Sequence, residues 1–450
     1  MTTFSINTLG CKVNQYESQQ IRELLEQLGL QQAPTPAKSD LIVINTCCVT
    51  RVASAKSRQY IRKAQKYNPN AAIIVSGCLP TVNIGELGTP AKNVHLITNR
   101  NDLAATLSRT ASLEPQSCSN NIIKAKISPK IKHKNKPILH SKLPALTRFS
   151  GQTRAFLKVQ DGCDGRCLYC IVPKTRPVVR SKTADAALQE AQALVQAGHR
   201  EIVVTGVFLG AYGLTTVRRR NWLNHRNDRL ADLLDKMADI PGLSRIRLSS
   251  LEPADITPRL LDTFCKHRNI MPHLHLSLQS GSNAILKKMH RQYNADEFRE
   301  KIALLKSRLD RPAITTDIIV GFPGETEDDF QQTAELAMDV GFAKMHVFSF
   351  SPRKGTPAAM LKDKIDVKIT KKRSEILRKL EAELGFLYRR QFIGETAEIL
   401  LENNNGRPYG RSERYFKVFI ENSHNHIQTN QIKTVKLTGN NKTAMSGSII

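Results

Sequence analysis

The stretch Asp161-Gly162-Cys163-Asp164-Gly165-Arg166-Cys167-Leu168-Tyr169-Cys170 places three cysteines at spacing C-x3-C-x2-C, directly after an apolar run at residues 155–159. Three thiolates on one tight loop can bind three irons of a four-iron cluster. The fourth iron is then left without a protein ligand, and a small molecule can bind and be activated there. A second trio, Cys11, Cys47 and Cys78, lacks such local spacing, but each member falls just past a predicted strand, at residues 4–9, 41–44 and 72–75. In an open α/β sheet the C-terminal strand ends converge on one edge, where ligands bind. Three thiols arriving there make a second cluster site. The alternative is three small buried apolar residues, since cysteine packs as one. Structural zinc ordinarily takes four protein ligands with cysteine pairs at C-x2–4-C, which two groups of three do not match. Cys48, beside a candidate ligand, has no assigned role, and Cys118 and Cys265 are isolated.

The elements that must position these thiols follow from periodicity. Near the N-terminus, Ile21, Leu24, Leu25 and Leu28 fall at i, i+3, i+4 and i+7, with Gly29 as a stop, so a helix follows the first strand. A basic helix over residues 53–67 follows the second. The alternation predicts a small parallel α/β domain over residues 1–115. Residues 116–150 read as a basic, proline-broken linker in which 122–127 could pair as an edge strand. Gln116 to Arg148 carries seven lysines and one arginine with no acid, so it is either a solvated connection or an arm for phosphates.

Over residues 151–388 six strand candidates recur with helices between them, at 155–160, 201–207, 244–250, 273–279, 313–320 and 345–351. These predict a partial (β/α)6 barrel whose functional residues gather at the C-terminal strand ends. Those ends carry the cysteine loop, Gly206, Glu252, Gln279 and the run Gly321-Phe322-Pro323-Gly324-Glu325. Glu252 can accept hydrogen bonds from an amine or a ribose hydroxyl, and Gln279 can donate and accept. Ser282 and Thr326 suit helix N-caps. Residues 389–450 turn to short strand-like runs at 396–402, 415–420 and 433–437, which predict a small β-barrel.

Charge points to the partner. The 450 residues hold 67 Lys+Arg against 40 Asp+Glu, a net charge of +27, which favours a polyanion and RNA or DNA first. Arg218, Arg219, Arg220 and Arg226 near Trp222 make one basic patch. In the terminal segment Arg407, Tyr409, Arg411, Arg414, Tyr415, Phe416 and Lys417 interleave cations with aromatics, a composition suited to stacking and phosphate contact. The first residues show no signal pattern, and no apolar run approaches the ~20 residues that span a bilayer. The expectation is a cytoplasmic protein with no membrane partner, where clustered cysteines more often bind metal than pair.

With these residues in view, the chain resembles the radical S-adenosylmethionine methylthiotransferases over essentially its whole length. The C-x3-C-x2-C loop after a barrel strand is their radical S-adenosylmethionine signature, and the three-cysteine N-terminal domain and terminal TRAM-like barrel follow their order. The stretches 8–18 (Thr8-Leu9-Gly10-Cys11-Lys12-Val13-Asn14-Gln15-Tyr16-Glu17-Ser18), 154–164 and 273–281 look like the branch that modifies N6-threonylcarbamoyladenosine beside the tRNA anticodon. The resemblance implies two [4Fe-4S] clusters, on Cys163/Cys167/Cys170 and on Cys11/Cys47/Cys78. It implies S-adenosylmethionine held by Gly206, Glu252 and Gln279, and a methylthio group delivered to carbon 2 of the adenine. The partners it implies are the tRNA anticodon stem-loop and an electron donor such as flavodoxin or ferredoxin. Sister branches act on isopentenyladenosine or on a ribosomal-protein aspartate. A reading of another class is an RNA-binding protein with structural metal. The chain departs from the family at Lys174-Thr175-Arg176-Pro177, where Arg-Gly is usual, a change expected to alter RNA docking.

Overall fold

The computed structural model describes residues 1–82, 84–87, 91–112, 142–219, 227–403, 406–421 and 428–450. Cys118, residues 122–127, Arg220, Trp222 and Arg226 lie outside them, as does most of the expected linker. The chain divides into two compact units, Met1–Thr147 and Arg148–Ile450. Among the described residues no helix is long and apolar enough to cross a membrane.

In the first unit, β1 (Thr3–Thr8), β2 (Gln31–Gln32), β3 (Leu41–Thr46), β4 (Ala72–Gly77) and β5 (Val94–Leu96) form a parallel sheet in the order β2-β1-β3-β4-β5. Strands β3 and β4 are buried along their whole length because both faces are covered. Leu41, Val43 and Ile74 pack against the helices Lys12–Gln27 and Leu103–Ala111 through Leu24, Leu25 and Leu107. Ile42, Ile44, Ile73 and Val75 face the other way, onto Ile61 and Ala64 of the helix Arg51–Tyr67. Each such fully buried aliphatic side chain contributes about 1.5–3 kcal/mol. Thr50 starts the basic helix by accepting from the Ala53 N–H at 3.1 Å. The described end of the expected linker belongs to this unit: Gln20 Nε2 donates to the Pro144 carbonyl, and the Thr147 hydroxyl to Glu23.

The second unit holds the six expected parallel strands in two ladders. One ladder has the order β7-β6-β8-β9, from β6 (Ala155–Asp161), the short antiparallel β7 (Arg180–Ser181), β8 (Glu201–Gly206) and β9 (Arg245–Leu248). The other is β10 (Ser250–Leu251), β11 (His273–Leu276), β12 (Ala313–Val320) and β13 (Lys344–Ser349), in chain order. The run expected as one strand at 244–250 is interrupted at Ser249, and an Ile246–Ile270 bridge joins the ladders there. Among the described strands β13 pairs only with β12, so the barrel is open along that edge. Ser282 and Thr326 do cap helices, accepting from the Ile285 and Asp329 N–H groups.

The terminal segment closes into a five-stranded barrel, β14-β15-β16-β18-β17, from β14 (Thr396–Asn403), β15 (Tyr409–Ser412), β16 (Lys417–Ile420), β17 (Ile432–Asn440) and β18 (Met445–Ile449). Sequence periodicity misses β15 and β18, whose glycines and serines give no alternating apolar signal. The barrel's turn at residues 412–415 seals the N-terminal end of the larger barrel. Arg245 donates to the carbonyls of Arg411 (2.9 Å) and Glu398 (2.8 Å), and Arg247 to that of Glu413 (3.1 Å). Tyr415, at φ 71°, lies under the guanidinium groups of Arg154 and Arg247 and against His273. This corrects the expected RNA role of Arg411, Arg414, Tyr415 and Phe416. Arg411 pairs with Glu402, Arg414 with Asp310 and Glu413, and Phe416 joins the barrel core. Arg407 and Lys417, stacked on Phe419, and on Tyr409 for the lysine, remain as the cation–aromatic group of that stretch.

Candidate active site: two cysteine trios and a polar cavity

The C-x3-C-x2-C loop is tied down at several points. Gly162 has φ 82°, and a Cβ there would lie 1.8 Å from the Val178 carbonyl oxygen, so only glycine fits. Asp161 accepts from the Gly162 N–H (2.9 Å) and from Arg176 Nη1 (2.7 Å), while the Cys163 N–H donates to the Arg176 carbonyl (2.8 Å). Arg176 belongs to the segment that departs from the family; it is buried and buttresses the loop. Asp164 accepts from the Thr216 hydroxyl and the Val217 N–H. Burial alone would raise its pKa, but those bonds and Arg218 outweigh it and hold the carboxyl low.

Two features of the loop suit a cluster. Burial pushes the Cys163 and Cys170 thiols up to about 12, with Cys167 adding repulsion, so the bare loop resists ionising and a cationic metal core would favour it. The sulfurs also receive hydrogen bonds, from the Gly165 N–H to Cys163 (3.3 Å) and from Arg291 Nη1 to Cys167 (3.2 Å). Among the described residues the only His/Cys/Asp/Glu group with three donor atoms within 4.8 Å is His275, Asp317 and His346. Neither cysteine trio closes to the ~3.8 Å that ~2.3 Å Zn–S bonds require of neighbouring sulfurs.

Cys163, Cys167 and Cys170 line a cavity of about 1410 Å³ together with Glu252, Ser277, Gln279, Arg291 and Asp317. That exceeds the ~300–1,000 Å³ of an ordinary small-molecule pocket and leaves room for a cofactor and a nucleobase. Glu252 is buried and ion-paired with Arg291, whose guanidinium also lies over Tyr293. Burial pushes the Glu252 carboxyl up; Arg291 opposes this and Asp255 reinforces it. Gln279 holds φ 71° through bonds from its N–H to the Asp317 carbonyl and from the Ile319 N–H to its own carbonyl. Gly206 is not among the lining residues, which include Val207 and Phe208 instead. A Cβ at Gly206 would press within 2.9 Å of Gln160 Oε1, the acceptor for the Phe208 N–H. Gln160 Nε2 in turn donates to the Gly162 carbonyl (2.8 Å), so Gly206 lets Gln160 join the cysteine loop to the end of β8. Arg219, expected on an RNA-facing patch, is buried against Asp255 and Phe208.

In the first unit the register aligns Thr8 with Asn45 and Thr46 with Gly77, so the three strand ends that carry Cys11, Cys47 and Cys78 are neighbours. Gly10, at φ 108°, would place a Cβ 3.1 Å from Cys47 Sγ. Asn14 Nδ2 bridges the carbonyls of Leu9 and Thr46, and the Thr46 hydroxyl donates to the Ser76 carbonyl. Arg100 Nη2 donates to Cys78 Sγ (3.3 Å) while Nη1 pairs with Glu17 (3.0 Å). Each trio thus has one arginine that touches a sulfur and is anchored by a glutamate, a parallel sequence reasoning missed. Arg100 and Arg291 lie in irregular or 3-10 segments with no periodic signal. Cys48 is buried, with Sγ 3.4 Å from the Cys78 carbonyl, which supports the trio's loop.

Residues 157–337 match the Radical SAM superfamily, and residues 3–99 match Uncharacterized protein family UPF0004. The chain is 34% identical over 437 residues to Threonylcarbamoyladenosine tRNA methylthiotransferase MtaB of Bacillus subtilis (strain 168), covering 95% of this chain and 92% of that protein. The protein of the same name from Thermotoga maritima is 33% identical over 443 residues, covering 98% and 96%. A tRNA-2-methylthio-N(6)-dimethylallyladenosine synthase of Zymomonas mobilis is 34% identical over 429 residues, covering 93% and 91%. Among solved structures, the radical S-adenosylmethionine methyltransferase TsrM from Kitasatospora setae shares the fold at 12% identity, with a TM-score of 0.52 over 78% of this chain and 74% of that one. With one thiol trio on the loop after β6, another at three strand ends, and MtaB-named relatives matching nearly the whole chain, the chain belongs to the radical S-adenosylmethionine tRNA methylthiotransferases, of the MtaB type.

Proposed function

We propose that this enzyme adds a methylthio group to carbon 2 of N6-threonylcarbamoyladenosine at position 37, in the anticodon stem-loop of tRNA. One [4Fe-4S] cluster is held by Cys163, Cys167 and Cys170, and a second by Cys11, Cys47 and Cys78. The carrying observation is that six cysteines arrive as two trios, one on the loop after β6 and one at three neighbouring strand ends, each with an arginine on one sulfur. When bound, the clusters and S-adenosylmethionine supply a radical source and a carrier of methylated sulfur. The chain's own residues do the positioning. Glu252 accepts from the ammonium or a ribose hydroxyl of S-adenosylmethionine, and Gln279 presents an amide to the same ligand. Gly206 acts through Gln160, which fixes the loop.

In this reading residues 1–115 carry the second cluster, 116–150 connect, 151–388 form the radical core and 389–450 are a TRAM-like RNA-binding barrel. The +27 charge supplies phosphate affinity. A flavodoxin- or ferredoxin-type donor delivers electrons, and the setting is the cytoplasm.

The cluster assignment is tested by an iron count after anaerobic reconstitution. About eight irons per chain are expected, and about four after Cys11, Cys47 and Cys78 are all changed to Ala. That variant should still cleave S-adenosylmethionine and form no methylthio product; a full iron load would overturn the second site. The 34% identity to the Zymomonas mobilis protein favours dimethylallyladenosine as a second reading. Mass spectrometry of tRNA nucleosides from a strain lacking the gene separates the two, because a different methylthio nucleoside disappears in each case.

A further inference from the structure

His275, Asp317 and His346 stand on three adjacent strands, β11, β12 and β13, with donor atoms within 4.8 Å of one another. The register explains the meeting: His275 pairs with Thr315, and Asp317 pairs with His346. His275 Nε2 is 3.4 Å from Asp317 Oδ2, its Nδ1 is 3.0 Å from the Thr315 hydroxyl, and its ring centroid is 5.9 Å from that of His346. Asp317 lines the same cavity as the three loop cysteines, and His346 is exposed on β13, the open edge of the barrel. Two residues on, Phe348 points the same way along the strand and is 44% exposed. A polar trio therefore runs from the cavity wall to the barrel's open edge, next to an uncovered aromatic face.

We propose that His275, Asp317 and His346 form the subsite that reads the substituent on N6 of the target adenine, with Phe348 as the face on which the base stacks. The proposal rests on the threonylcarbamoyl reading above. Carbon 2 and the N6 substituent flank N1 on one edge of the purine, so a base held with carbon 2 toward the reactive loop carries its N6 group along the same wall. A threonylcarbamoyl group offers a carboxylate, a hydroxyl and ureido N–H groups. The His346 imidazole can donate N–H to the carboxylate, and Asp317, oriented by His275, can accept from the ureido N–H or the hydroxyl. A dimethylallyl group offers none of these and forms no polar contact with the trio, and a site built for polar contacts rejects a substituent that lacks them. Aromatic stacking on Phe348 adds affinity without regard to the substituent.

The test compares anticodon stem-loop RNAs with threonylcarbamoyladenosine, dimethylallyladenosine or plain adenosine at position 37. Their binding to the anaerobically reconstituted full chain is measured by fluorescence anisotropy. Wild type is expected to prefer the threonylcarbamoyl RNA over the plain RNA by at least about 10-fold. His346→Ala and Asp317→Asn should bring that ratio to about 1 while all three proteins bind plain RNA alike. His346→Gln, which keeps an N–H donor, should retain part of the preference. A ratio that survives both variants overturns the subsite. A wild type that methylthiolates the threonylcarbamoyl RNA without binding it preferentially overturns the subsite and leaves the function standing. One that methylthiolates only the dimethylallyl RNA overturns the function and the subsite together. One equivalent of cobalt(II) bound by wild type and lost in His346→Ala overturns the reading in favour of a metal site.

Discussion

The two ends of the central barrel each bury a glutamate among arginines, with opposite results. At the N-terminal end Glu201 faces Arg247 at 2.9 Å and Arg245 at 3.7 Å, with Arg154 close by. Burial alone would raise its pKa, but the three guanidinium groups outweigh burial and hold the carboxyl below its ordinary value. At the C-terminal end Glu252 is paired with Arg291, and burial wins, pushing its pKa up. The first carboxylate is over-compensated and serves as a fixed part of the seam with the terminal barrel. The second is under-compensated and gains from any further cation that enters the cavity, as the ammonium group of S-adenosylmethionine would. The fold places durability at one strand end and chemistry at the other, the division known for complete barrels of this kind.

The largest effect is expected at the N-terminal end of the barrel. Glu201→Ala leaves Arg245 and Arg247 buried without their carboxylate and should cost about 3–5 kcal/mol, read as a large fall in melting temperature. An unchanged melting temperature would mean the seam does not depend on this carboxylate. Next in size, Glu252→Gln keeps the shape but removes the charge. It should weaken S-adenosylmethionine binding by about 10- to 100-fold, the worth of a hydrogen bond to a charged group, with the iron content intact. Equilibrium dialysis under anaerobic conditions measures it, and unchanged affinity would remove Glu252 from the cofactor site.

A pH series sharpens the contrast. Because the Glu201 carboxyl is held below its ordinary 4.5, its ionised form adds stability that is fully present above that pH and is lost as pH falls through the folded value. The melting-temperature gap between wild type and Glu201→Gln should therefore narrow as pH falls below about 4.5. Glu252 has the opposite sign: its raised pKa makes stability fall as pH rises from 4.5 toward the folded value. The smallest effect is expected from Tyr415→Phe, which keeps the ring under Arg154 and Arg247 and removes the hydroxyl that accepts from Arg154 at 3.0 Å. It should cost about 1 kcal/mol, a melting shift of about 2 °C.

What could be read along the chain was whatever local chemistry announces. The C-x3-C-x2-C spacing, the strand before it and the caps at Ser282 and Thr326 depend on residues a few positions apart, and those placements hold in the structure. The terminal barrel shows where that reasoning fails. Its Gly- and Ser-containing strands β15 and β18 lack an alternating apolar signal and form because their neighbours supply the ladder. Arg411, Arg414 and Tyr415 look like an RNA surface in sequence, since a run of cations carries no sign of which way it points.

By itself, then, the sequence determined the two cysteine trios, the strand ends that carry them and the basic balance of the whole. Only the tertiary structure decided which charges are already satisfied. Asp310 and Glu201 lie far along the chain from Arg414 and Arg247, the arginines they neutralise, and Arg291 reaches Cys167 and Glu252 from a separate loop. A side chain's charge is a property of the residue, but its partner and its burial belong to the fold, and these separate the sealed end of the barrel from the reactive one.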